Sequence, residues 1–125
     1  MLLTYLMVAL GGSFGAMSRF GLSTLINHHV KTVFPIATLS INVIGSLLMG
    51  ICFVIITERM PSMESYRPLV MVGFLGAFST FSTFSLEIVS LINQQAWLSA
   101  LSYLLLSCLL SVLGLAIGIF IARAL

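Results

Sequence analysis

Apolar residues form four long stretches along the chain, and short polar segments separate them. The stretches cover about residues 2–26, 36–57, 69–92 and 97–122, and the most polar segment, residues 58–68, lies between the second and the third. A helix needs about 20 apolar residues to cross the hydrocarbon core of a bilayer. The pattern therefore predicts an all-α membrane protein with four transmembrane helices.

The overall composition is unlike that of a soluble protein. Of the 125 residues, 60% are hydrophobic and 6% are charged, whereas about a quarter of the residues in soluble domains are charged. Lipid must cover most of such a surface, and four crossings leave no room for a separate soluble catalytic domain. We therefore predict that residues 1–125 form a single transmembrane domain.

The polar chemistry of the chain excludes several further classes. The formal net charge is only +2, and the basic residues are not clustered as a nucleic-acid-binding surface requires. No phosphate-binding loop, paired nucleophile and base, or metal-ligand motif is present. Cys52 and Cys108 both lie inside apolar stretches, which is typical of packing residues. The chain is predicted to be neither an enzyme nor a nucleic-acid-binding protein.

The basic residues are nearly balanced between the two predicted sides of the membrane. With four crossings, Arg59, Arg67 and Arg123 share one side, while Lys31 lies on the other and Arg19 lies within the first stretch. Orientation in the membrane follows the asymmetry of Lys and Arg between the loops. Because the asymmetry of basic residues is weak here, the chain could insert in both orientations. Insertion in both orientations would permit an antiparallel homodimer.

Pairs of small residues recur four positions apart in every apolar stretch. Such spacing lets two helix backbones approach closely in lipid and gain dispersion contacts. We therefore expect tight packing of these helices on each other or on a second subunit. The pairs are Gly11 and Gly15, Ser46 and Gly50, Gly73 and Ala77, and Gly114 and Gly118.

The third stretch contains an unusual run of hydroxyl and phenyl side chains. Residues 79–85 carry five hydroxyls interleaved with Phe81 and Phe84, and Gly73 and Gly76 precede them. The hydroxyls could simply bond to carbonyls of the preceding helical turn while the rings pack between helices. However, glycines and hydroxyls together also favour a helix broken near its middle, whose freed carbonyls can bind a cation. On a continuous helix Phe81 and Phe84 would share one face.

Other polar residues lie within the predicted helices. Asn42 is expected either to bond between helices or to serve as a pore-lining donor. Arg19 and Glu87 are intramembrane charges, which are functional candidates in membrane proteins, although either side chain could reach an interface. Ser107 and Ser111 lie four apart and could form a short polar stripe or simply pack.

Taken together, these residues resemble the Fluc/CrcB family of fluoride channels over essentially the whole chain. The third stretch carries the most specific part of the resemblance, the run from Ser79 to Ser85. The other shared residues are the segment from Gly11 to Gly15 followed by Arg19, then Thr38, Leu39, Asn42 and Gly45, and finally Gly76 before the run and Glu87 after it.

The resemblance implies a fluoride-selective channel that exports fluoride passively across the bacterial inner membrane and relieves fluoride toxicity. It implies a dual-topology antiparallel homodimer with two pores at its interface. In such a dimer, backbone carbonyls, matched here by Gly76 and Ser79, hold a structural sodium ion at the centre. The implied pore residues are Asn42, Phe81, Phe84, Ser82, Thr83 and Ser111, and Arg19 and Glu87 are candidates for vestibule or structural charges.

Two other classes remain as alternatives at this stage. A small dual-topology exporter of organic cations, driven by protons, would be expected to use a carboxylate in its first span, but the first stretch carries Arg19 and no acid. A non-transporting assembly subunit would suit the small-residue pairs. It would leave the hydroxyl run without a purpose, since buried hydroxyls in lipid need partners.

Overall fold

The computed structural model describes residues 1–125, and its only regular structure is helical. The all-α prediction is confirmed. Helix α1 is Leu2–His29, α2 is Ile36–Arg59, α3 is residues 68–78, α4 is Ser82–Asn93 and α5 is Trp97–Ala124, with a short 3₁₀ helix, Pro61–Tyr66, between α2 and α3.

Three segments are long and apolar enough to cross a membrane: Ile36–Arg59, Pro68–Asn93 and Trp97–Ala124. The third of these contains both α3 and α4. Helix α1 has the length for a crossing, with 28 residues. Its mean hydropathy is lower than that of the other three segments because it carries glycines, serines and Arg19.

Two π-helical segments flank the polar loop. The end of α2, Val54–Arg59, and most of α3, Pro68–Leu75, have this wider turn, while Gly76–Phe78 returns to α-helical geometry. π-Helical turns are rare and frequently lie at functional sites. Pro68 opens α3 at a position where the missing backbone N–H costs nothing.

Glycine contacts join the helices in two pairs. A Cβ on Gly11 would lie 2.0 Å from the carbonyl oxygen of Leu69, so α1 rests directly on the α3 backbone. Likewise a Cβ on Gly118 would lie 2.2 Å from the carbonyl oxygen of Leu47, which brings α5 onto α2. The close approach predicted from the small-residue spacing is therefore present within one chain.

Helix α4 packs on α5, and an ion pair ties α5 to α2. The core between α4 and α5 consists of Phe84, Leu91, Ala100 and Tyr103. At the far end of α5, the Arg123 Nε donates to Glu58 at 2.9 Å, and Arg59 donates to the Arg123 carbonyl at 3.0 Å. These contacts hold α2, α4 and α5 in place around the segment between α3 and α4.

Candidate functional site

The backbone leaves helical geometry between α3 and α4, at residues 79–81. Ser79 is extended, with φ −79° and ψ 157°. Its backbone N–H and its hydroxyl both donate to the Leu75 carbonyl, at 3.2 and 3.1 Å. Ser79 thus closes the end of α3 with its own side chain, and the chain then turns into the start of α4.

Asn42 on α2 binds the backbone of this segment through both ends of its amide. The Thr80 N–H donates to the Asn42 Oδ1 at 2.7 Å, and the Asn42 Nδ2 donates to the Thr80 carbonyl at 2.9 Å. A neighbouring β-strand would offer the same pair of bonds. The non-helical backbone therefore has partners, as it must at membrane depth.

The interruption leaves the carbonyl groups of residues 76–79 without their usual helical partners, and polar side chains account for two of these losses. In a continuous helix the N–H of Thr80 would donate to Gly76, and the N–H of Thr83 would donate to Ser79. Here the Thr80 N–H donates to Asn42, and the Thr83 N–H donates to the Thr80 Oγ1 at 3.2 Å. The carbonyl oxygens of Gly76 and Ser79 are thus available to another ligand.

A groove of about 480 Å³ runs along this segment between α2, α4 and α5. Phe81 and Phe84 lie on its wall with ring centroids 5.4 Å apart. Their exposure differs greatly: Phe81 is 76% exposed and Phe84 is 4% exposed. The predicted site residues that line this groove are Asn42, Gly76, Ser79, Phe81, Phe84 and Ser111.

Ser107 adds a hydroxyl to the groove that the sequence did not single out as a site residue. Its side chain is 5% exposed, and its Oγ has no hydrogen-bond partner in the chain. A buried donor without a partner costs free energy, and the Ser107 Oγ is itself closed off from solvent. The only sequence signal was its spacing, one helical turn before Ser111.

A second cavity, of about 220 Å³, lies on the other side of the interrupted segment. Arg19 and Thr83 line it, and Thr80 lines both cavities. Ser82 lines neither cavity, and its hydroxyl lies 3.4 Å from the Thr80 Oγ1. Most of the predicted residues therefore line one of two cavities, and Thr80 is common to both.

Glu87 is held by two hydroxyl donors from other helices. The Thr38 Oγ1 donates to its Oε1 at 2.7 Å, and the Tyr103 hydroxyl donates to its Oε2 at 2.6 Å. Both carboxylate oxygens are thus hydrogen-bonded within the bundle. Sequence reasoning identified Glu87 but not Tyr103, because a single tyrosine in a leucine-rich stretch carries no signal of the residue it will face.

Comparison with known proteins agrees with the resemblance drawn from the sequence. A family model described as CrcB-like protein, camphor resistance (CrcB), matches residues 6–119. A protein of Magnetococcus marinus named fluoride-specific ion channel FluC is 46% identical over 116 residues, which cover 93% of this chain and 94% of that protein.

Two further relatives carry the same name. The protein of Hahella chejuensis is 42% identical over 116 residues, covering 93% of this chain and 91% of the relative. The protein of Saccharophagus degradans is 40% identical over 124 residues, covering 99% and 92%. With a family model that spans nearly the whole chain and relatives this similar, the chain belongs to the CrcB family.

Proposed function

We propose that this protein is a fluoride-selective channel through which fluoride leaves the bacterial cell passively, which relieves fluoride toxicity. It is a multi-pass protein of the bacterial inner membrane and not an enzyme. The observation that carries the proposal is the groove at the interrupted segment, where phenyl rings alternate with hydroxyl and amide donors. The relatives named fluoride-specific ion channels match this chain over more than nine-tenths of their own length.

The groove offers what a small, strongly hydrated anion needs when it loses water. Asn42 keeps one amide hydrogen free after bonding to Thr80, and Ser111 adds a hydroxyl to the lining. The edges of Phe81 and Phe84 carry the positive part of the ring quadrupole. None of these groups is a fixed cation, so an ion can bind and still leave, as conduction requires.

The groove becomes a pore when a second copy covers it. Its wall is open on one side, where the Phe81 ring is 76% exposed. The bias of three basic residues on one side of the membrane against one or two on the other is weak, which allows insertion in both orientations. The functional unit is then an antiparallel homodimer whose subunits each cross the bilayer four times. Helix α1 supplies one crossing, and α3 and α4 together form a broken third one.

A sodium ion fits the two carbonyl groups beside the groove. The oxygens of Gly76 and Ser79 lack their helical N–H partners, and neutral carbonyl oxygens suit a hard monovalent cation. Such an ion at the dimer centre supplies a fixed positive field near the anion path without obstructing it.

Fluoride efflux from liposomes that contain only the purified protein tests the proposal. We expect rapid passive loss of fluoride, read with a fluoride electrode, and no comparable loss of chloride. Absence of fluoride efflux from assembled dimers would refute the channel. Uptake of organic cations driven by a proton gradient would instead indicate an exporter, a role to which the doubly hydrogen-bonded Glu87 is poorly suited.

A further inference from the structure

Asn42 has a second task that its place in the groove does not reveal. Both of its amide hydrogen bonds go to the backbone of one residue, Thr80, which belongs to a different helix segment. A pore donor would be expected to point its polar atoms at the pore. The geometry instead uses most of the amide's hydrogen-bonding capacity to hold the interrupted backbone.

The bond from Thr80 to Asn42 decides what the Gly76 carbonyl can do. Thr80 has one backbone N–H, and it can donate either to Gly76, which continues the helix, or to Asn42, which interrupts it. At 2.7 Å it donates to Asn42. With an apolar residue at position 42, the simplest way to satisfy that N–H in an apolar surrounding is to donate to Gly76.

Thr80 acts on the Ser79 carbonyl in the same manner. Its hydroxyl accepts the Thr83 N–H at 3.2 Å, in the way that a helix N-cap does for α4. Without this hydroxyl, the Thr83 N–H is free to donate to the Ser79 carbonyl. Two polar side chains therefore each keep one carbonyl of the segment out of helical hydrogen bonding.

We infer that Asn42 and Thr80 are positioning residues that create the cation site, by diverting the N–H groups that would otherwise occupy the Gly76 and Ser79 carbonyls. The inference rests on the proposed sodium site. It makes Asn42 the link between the anion path, where its remaining amide hydrogen lies, and the cation, whose ligands depend on its other bonds.

Sodium-dependent melting of the purified dimer tests this role without relying on flux. A ligand that binds only the folded protein raises its melting temperature, so the wild type should melt higher in sodium chloride than in N-methyl-D-glucamine chloride. For Asn42→Leu and Thr80→Val we expect the sodium concentration at which the melting temperature starts to rise, which marks the Kd, to increase about tenfold or more.

Matched variants separate positioning from general damage. Thr80→Ser keeps the hydroxyl and should stay within about threefold of the wild type. Asn27→Leu makes the same change as Asn42→Leu at an exposed position of α1 and should leave the sodium response unchanged. If Asn42→Leu fails to assemble, the comparison of sodium-dependent melting between Thr80→Val and Thr80→Ser tests the inference by itself.

The outcomes distinguish this inference from the proposed function. A sodium-dependent shift in the wild type that Asn42→Leu and Thr80→Val retain would overturn the inference and leave the sodium site standing. A wild type that conducts fluoride but melts identically in both salts would remove the sodium site and the inference together. If the wild type shows the sodium-dependent shift, both variants lose it, and the wild type passes no fluoride, the inference would be supported and the channel refuted.

Discussion

The two phenyl rings of the groove contribute differently because their surroundings differ. Phe81 precedes α4 and stands 76% exposed, while Phe84 is 4% exposed and packs against Tyr103 with ring centroids 5.1 Å apart. Removing either ring takes a positive ring edge from the groove. Only the removal of Phe84 also disturbs the core between α4 and α5.

We therefore expect Phe81→Ile and Phe84→Ile both to lower fluoride flux in liposomes while the dimer stays assembled. Phe84→Ile should also lower the free energy of unfolding by about 1–3 kcal/mol, because the new side chain does not fill the space of the ring. Phe81→Ile should leave stability nearly unchanged. Wild-type flux in both variants would remove the rings from the conduction mechanism.

The Glu87 carboxylate is the other residue whose role depends on its partners. Hydrogen bonds to a charged group contribute about 1.5–3 kcal/mol each, so Tyr103→Phe should lower the free energy of unfolding by about that amount. Tyr5→Phe removes a hydroxyl from an exposed ring and serves as the control. If the two variants have the same free energy of unfolding, the bond from Tyr103 to Glu87 contributes little to stability.

Single residues were identified from the sequence more readily than their partners were. Asn42 and Glu87 stood out because polar and charged residues are rare in a span, and Phe81 and Phe84 stood out because five hydroxyls are interleaved with them. The bonds from Asn42 to Thr80 and from Tyr103 to Glu87 cross between helices. Such pairs depend on how each helix is rotated about its axis, and hydropathy carries no information on that rotation.

The helices were predicted to within a few residues, but their internal geometry was not. Long apolar stretches set where a helix can lie, whereas a π-helical segment such as Pro68–Leu75 leaves the composition unchanged. Glycines and hydroxyls together predicted a third helix broken near its middle, and the backbone leaves helical geometry at Ser79, the first residue of the hydroxyl run. Gly73 instead serves packing, since a Cβ there would lie 2.8 Å from the Val8 carbonyl oxygen.

Glycine contacts between α1 and α3 make a direct prediction at the level of elements. A Cβ at Gly15 would lie 2.1 Å from the Phe74 carbonyl oxygen, which is backbone and cannot rotate away. Gly15→Ala should therefore push the helices apart and reduce the yield of folded dimer. Gly21→Ala lies on the same helix with nothing within 4 Å of the new Cβ, and it should be neutral or slightly stabilising.

Size-exclusion chromatography and thermal melting of the two alanine variants provide the comparison. If Gly15→Ala assembles and melts like Gly21→Ala, then α1 and α3 can move apart with little loss of stability.

On the scale of the whole molecule, the proposed dual topology rests on a small difference in basic residues. The segment after α4 is exposed and uncharged, so Asn93→Lys with Gln94→Lys should draw that side to the cytoplasm. Lys31→Gln should favour the opposite orientation. For each variant alone, a reporter fused to the C-terminus should be found on one side of the membrane only. The fluoride flux should be several-fold lower than that of the wild type, because each variant lacks partners of the opposite orientation.

Co-expression of the two variants should restore the flux, because each then finds a partner inserted the other way. A variant with a one-sided reporter that conducts at the wild-type level by itself would argue against the antiparallel dimer.

The pairing of the helices also has a consequence for how the chain is made. Helix α1 rests on α3, and α2 rests on α5, so neither of the first two helices has its main partner as its neighbour in sequence. A ribosome releases the helices in order, and α2 waits in the bilayer until the last one arrives. The packing of α1 on α3 can begin once the third crossing is inserted, but that of α2 on α5 can begin only when synthesis is nearly finished. During that wait the Gly50 surface of α2 lacks its partner, so we expect a chain whose elongation stalls before α5 to be degraded more readily than the complete chain.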